Sequence, residues 1–298
     1  MSAHHDHDTH HRSANKRRLL LTLLLAGGYM VAEIVGGLLT NSLALLADAG
    51  HMLSDVAALG LSLFAVAIAE RPPTAQRTYG YYRTEILAAL ANGSALIAVS
   101  IFIFIEAYRR IFAPPAVLGA AMMAIAAGGL LVNLLGLWIL HAGRRQNLNV
   151  RGAWLHVLTD ALGSVGAIVA GILIWAFGWN WADPVASVLI GILVVYSAWR
   201  LLLEAVFVLM ESAPRGIDVD EVRRSMSEMP GVLGVHDLHV WTITSGMDSL
   251  SAHVVVAEQP PPAGLLAELR TMLHDRFGID HITIQIEPED FEERPTAF

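Results

Sequence analysis

Six apolar stretches, each long enough to cross a lipid bilayer as a helix, decide what this chain can fold into. They run near Leu19–Leu39, Ser42–Ala69, Ile86–Ile111, Ala116–His141, Ala153–Phe177 and Pro184–Leu203, and about 20 apolar residues suffice for one crossing. In hydrocarbon every backbone N–H and C=O must be paired within the segment, so such stretches form helices. The connections Thr40-Asn41-Ser42, Ala113-Pro114-Pro115 and Gly178-Trp179-Asn180-Trp181 are short and rich in turn-forming residues. Composition agrees: the chain is 55% hydrophobic and 15% charged, whereas a soluble domain carries about 25% charged residues. Glycine pairs at Gly27–Gly28, Gly36–Gly37 and Gly128–Gly129 permit close helix packing. With no cysteine, disulfides, thiolate metal sites and a Cys nucleophile are excluded.

Arg12, Lys16, Arg17 and Arg18 precede the first span, Arg71, Arg77 and Arg83 follow the second, and Arg144, Arg145 and Arg151 follow the fourth. Basic residues stay on the cytoplasmic side, so both termini are expected there, although Arg109 and Arg110 dissent. Residues 1–18 cannot bury a core; their His4, His5, His7, His10 and His11 read as a metal-gathering tail. From Pro214 onward the composition is that of a soluble domain, and most of the acidic residues behind the net charge of −8 lie there. Helical periodicity over Val219–Glu228 and Ala263–Phe277, with strand alternation over Val232–Thr244, Leu250–Ala257 and His281–Glu287, gives the order αββαβ. The expected fold is an α-helical membrane protein of six spans with a cytoplasmic C-terminal α+β domain of ferredoxin-like or metallochaperone-like type. The expected divisions are 1–18, 19–210 and 211–298.

Ionisable side chains inside a bilayer are costly and by default functional. Leu46–Asp55 places Asp48, His51 and Asp55 at helical spacings of three and four, on one face. His156-Val-Leu-Thr-Asp160 echoes His51-Met-Leu-Ser-Asp55 about a hundred residues later. Two such helices supply two imidazoles and two carboxylates, a four-coordinate set suited to Zn²⁺, with Cd²⁺ or Co²⁺ as competitors. Asp48 is the candidate for orienting a ligating histidine. A membrane metallohydrolase needs an activated water and a general base, and no His-Glu-x-x-His motif is present. A proton-coupled organic cation exporter leaves the matched His–Asp pairs unexplained, and six spans are excessive for a membrane zinc sensor. Nothing in the chain points to nucleic acid.

These residues resemble the cation diffusion facilitator family of zinc exporters over nearly the whole chain. The resemblance rests on the six spans, the two His/Asp pairs, Tyr79-Gly-Tyr-Tyr-Arg-Thr-Glu85 entering span three, Asp183-Pro184 entering span six, the αββαβ tail and its His236-Asp-Leu-His-Val-Trp241. It implies a secondary transporter rather than an enzyme: a homodimer with one transport site per protomer, exporting Zn²⁺ in exchange for protons across a bacterial plasma membrane. It implies His51, Asp55, His156 and Asp160 as transport ligands, with histidine in the first position favouring zinc over manganese. It also implies a regulatory zinc site in the tail at His236, His253 and Glu287. Gln285 or a histidine from the partner's tail would add a fourth contact there; His239, His274 and His281 are weaker candidates. The loop between spans two and three has Glu70 and Glu85 but no histidine, so the extra site some relatives carry there is not expected.

Overall fold

The computed structural model describes residues 24–53, 56, 68, 71–141, 148–257 and 264–291, with the backbone alone at 148–153. Contacts divide the chain into two compact units, Met1–Ser62 with Ala91–Leu202, and Leu63–Leu90 with Leu203–Phe298.

Helices α1 (Leu24–Thr40) and α2 (Leu43–Leu53) are followed by α3 (Thr84–Phe112), α4 (Gly119–His141), α5 (Leu148–Phe177) and α6 (Ala182–Leu209). Among the described residues four helices are long and apolar enough to cross a membrane: α3, α4, the Trp154–Phe177 part of α5, and α6. The shortest, α4, has 23 residues, about 34 Å of helix against a hydrocarbon core of about 30 Å. The described parts of α1 and α2 are shorter, so two of the six expected spans are seen only in part. Large apolar side chains face outward, among them Phe112, Trp138, Trp175 and Tyr196. That is a liability in water and the requirement in lipid.

The interior of the first unit is built from small residues. Ala44, Ala126, Ala167 and Ala198 are fully buried beside Leu43, Leu45 and Met122. A Cβ on Gly119 would lie 2.9 Å from the Gly171 carbonyl oxygen. Backbones approach this closely only where side chains are absent.

The start of α2 is held from outside. Asn41, at φ 56°, sits in the left-handed region that asparagine tolerates and lets the chain reverse between α1 and α2. The Asp183 carboxylate, on the first turn of α6, accepts hydrogen bonds from Ser42 Oγ (2.7 Å), Leu43 N (2.8 Å) and Ala44 N (3.1 Å). A distant residue thus fills the N-cap role that usually falls to a neighbour. Arg110 Nη1 donates to the Asn41 carbonyl at 2.7 Å and lies 3.8 Å from Asp183, closing a polar knot around the buried carboxylate.

The tail contains α7 (Val219–Ser227), β1 (Val232–Thr244), β2 (Met247–Val256), α8 (Leu265–Phe277) and β3 (His281–Pro288), in the expected order. Asp218 caps α7 by accepting from Asp220 N and Glu221 N. The sheet order is β1-β2-β3, with β1 antiparallel and β3 parallel to β2. In a ferredoxin-like split βαβ another strand separates the two parallel ones. Here β2 and β3 are direct neighbours across the α8 crossover, so the three-stranded sheet is mixed. Val222 and Met226 of α7 and Leu269 and Leu273 of α8 pack with Leu250 and Val254 of β2, and the opposite sheet face carries His236, His239, Ser249, Ser251 and His253 together with Trp241.

A bulge interrupts β1. His236 pairs with His253 and His239 with Ser251, so three steps on β1 match two on β2. The bulged Asp237 has φ 47°. In a regular strand His236 and His239 would point to opposite faces; the extra residue returns both to the face that carries His253.

Candidate metal sites

In the first unit α2 brings His51 against α5. His51 Nε2 is 3.4 Å from Asp160 Oδ1, and His156 Nε2 is 3.7 Å from Asp160 Oδ2. The two imidazole centroids are 5.5 Å apart, edge to face. His156 and Asp160 share a helix face because one turn separates them. All three residues offer donor atoms that lie within 4.8 Å of one another. A tetrahedral ion bound at about 2.0–2.1 Å holds its ligands about 3.3 Å apart. The observed 3.4 Å is that spacing and is longer than an ordinary hydrogen bond. Asp160 is buried, and Ser164 Oγ donates to its carbonyl at 3.2 Å while accepting from Asn133 Nδ2 of α4 at 3.4 Å. Expected ligand Asp55 lies outside the described residues, as do His4, His5, His7, His10 and His11.

Asp48 is 3% exposed and faces α5, where a Cβ on Gly163 would meet its Oδ1 at 3.0 Å. His51 and Asp160 are within electrostatic range of it. Its carboxyl also meets that of Glu33, a residue of α1 that sequence reasoning passed over. The signal was available: a lone carboxylate between Ala32 and Ile34 breaks the same rule that flagged α2 and α5.

In the tail, His236 on β1, His253 on β2 and Glu287 on β3 come together on the polar sheet face, with donor atoms again within 4.8 Å. Glu287 is 2% exposed although its strand alternates, because both imidazoles lie over it. Its Oε2 is 2.9 Å from His236 Nε2 and its Oε1 is 2.9 Å from His253 Nδ1. Gln285 Nε2 donates to Glu287 Oε1 at 2.7 Å, so it holds the carboxylate in place. His239 turns away to Asp237 Oδ1 at 2.8 Å. That hydrogen bond holds the exposed Asp237 carboxyl below the usual carboxylate range, with the His239, His253 and His236 charges adding to it. His274 pairs with Asp280, and the His281 ring lies 5.6 Å from that of Tyr79. None of these three histidines belongs to the cluster. A buried carboxylate facing two imidazoles is a donor set that suits a divalent ion of zinc type.

Glu85, considered only as a possible ligand of the preceding loop, accepts from Thr244 Oγ1 and from Ser245 Oγ at 2.9 Å. It is bound to the β1–β2 hairpin.

Comparison with known proteins gives two family matches: the cation efflux transmembrane domain over residues 19–210 and the cation efflux protein cytoplasmic domain over residues 214–289. A cadmium, cobalt and zinc/H(+)-K(+) antiporter of Bacillus subtilis is 48% identical, covering 94% of this chain and 91% of that protein. The metal cation efflux system protein CzcD of Cupriavidus metallidurans is 45% identical, over 100% and 94%. The zinc transporter ZitB of Escherichia coli is 46% identical, over 96% and 93%. Matches of this extent, over both the membrane helices and the tail, place the chain in the cation efflux family.

Proposed function

We propose that the chain exports Zn²⁺ from the cytoplasm in exchange for protons, by alternating access around His51, Asp55, His156 and Asp160. The observation that carries this reading is that α2 and α5 bring donor atoms of His51, His156 and Asp160 within 4.8 Å of one another, close enough to share one ion. The family is one of transporters, and the relatives' names cover zinc, cadmium and cobalt. Cd²⁺ and Co²⁺ are therefore the competing substrates.

Zinc displaces protons from His51 and His156, because a ligating imidazole must be neutral. After the site faces outward and the metal leaves, the histidines recover protons. An unperturbed His pKa of about 6.5 suits that exchange near neutrality. The protein works as a homodimer in a bacterial plasma membrane with both termini in the cytoplasm. The cytoplasmic match and the basic loops support that arrangement. His236, His253 and Glu287 hold a regulatory zinc ion in the tail.

Proteoliposomes containing the full chain test the reading. Zinc uptake should require a pH gradient and run against a measurable proton flux. Asp160→Ala should abolish it; full transport by that variant, with the protein folded, refutes the site.

A further inference from the structure

Among the described residues, Glu33 is a buried acid of the first unit to which neither the transport site nor the helix caps give a part. Glu33 is 1% exposed in the middle of α1, among Val31, Ala32, Ile34 and Val35. Among the described residues neither of its oxygens has a hydrogen-bond donor. The group it meets is another acid, Asp48 of α2, itself 3% exposed.

The groups facing this pair can be taken element by element. From α5 comes Asp160, a third carboxylate, within electrostatic range of both. His51 of α2 acts on Asp48. On α1 itself, Tyr29 lies one turn before Glu33, and its hydroxyl donates to the Ile125 carbonyl of α4. Two carboxylates in contact in a dry, low-dielectric interior cannot both be ionised without a counter-cation; such a pair shares a proton. A shared proton also makes their contact a hydrogen bond, which two carboxylates alone cannot form.

We propose that Glu33 is a proton-carrying residue of the transporter, holding one proton against Asp48 and exchanging it as zinc comes and goes at His51, His156 and Asp160. The step balances simply. A Glu33 carboxylic acid becomes a carboxylate and one proton when zinc brings its two positive charges to the adjoining site. The reverse follows when zinc leaves. The metal ligands bind the ion, and Glu33, outside the ligand set, supplies part of the counter-charge. This rests on the antiport reading above.

The test uses the full chain in proteoliposomes, with zinc flux and internal pH followed together, for wild type and for Glu33→Gln. The expected result is a lower proton-to-zinc ratio and loss of gradient-driven uptake in Glu33→Gln. Its zinc stoichiometry in detergent should stay that of wild type, while its zinc affinity should depend less steeply on pH. A variant that keeps the wild-type ratio and pH profile, or that loses zinc binding while folded, overturns the proposal. Coupled fluxes that are missing from the wild type instead sink the antiport reading itself. Should Glu33→Gln fail to fold, pH-difference infrared spectra give an independent readout. Wild type must show the carbonyl band of a protonated, buried carboxylic acid, and Asp48→Asn must shift it. No such band, or no shift, overturns the assignment.

Discussion

At the scale of single residues, the two candidate metal clusters differ in how far their donors already touch. In the tail, Glu287 makes 2.9 Å contacts to both histidines. In the membrane unit the closest donor pair stands at 3.4 Å. Metal entry in the tail must therefore part contacts that already exist. Removing an outer partner of a metal ligand typically costs about 10–100-fold in affinity. Asp160→Ala, which removes a ligand, should cost at least that in zinc binding to the folded protein, measured by competition with a chelating dye. The Asp237–His239 contact predicts a local pH dependence. Because Asp237 is held low, its stabilising effect is complete above the unfolded value of about 3.9 and is lost as pH falls through its lower folded value. His239→Gln should raise the Asp237 pKa, readable by carboxyl NMR. Spacing alone revealed His51, His156 and Asp160, since i, i+4 periodicity survives any packing. It could not reveal Glu33, whose partner lies on another helix, nor the β1 bulge that turns His239 toward the His236 face.

At the scale of elements, glycine positions decide how closely helices lie. At Gly119 and Gly171 of α4 and α5 an added Cβ meets backbone at 2.9 and 3.1 Å, and backbone cannot move aside. At Gly166 of α5 it meets nothing within 4 Å. Gly119→Ala should therefore lower the melting midpoint in detergent, by an overpacking cost of about 1–3 kcal/mol. Gly166→Ala should leave it unchanged or raise it slightly. The alternating strands and the periodic helices of the tail were readable, and β1 spans Val232–Thr244 as expected. β2 begins at Met247 rather than Leu250, because Ser245 and Gly246, the latter at φ 75°, close a two-residue hairpin loop that lets pairing start at once. The mixed sheet was beyond reach, since pattern gives strands but not their neighbours.

At the scale of the whole molecule, metal occupancy should appear as stability. A ligand at a hundred times its Kd adds about 2.7 kcal/mol. Zinc should raise the melting midpoint of the intact chain. A variant carrying His236→Ala and His253→Ala should lose the tail's share of that rise while keeping the share that Asp160→Ala removes, which differential scanning in detergent can resolve. Asp183 grips the first residues of α2, and His51 stands nine residues further along from Ser42, about 13 Å of helix. That grip makes α2 a lever with its pivot at the Ser42 end. A tilt of about 10° there carries His51 about 2 Å, more than the difference between a bound and a broken metal–nitrogen bond. In the proposed transport cycle, small changes at Asp183 and Arg110 are thereby geared up into the making and breaking of zinc coordination.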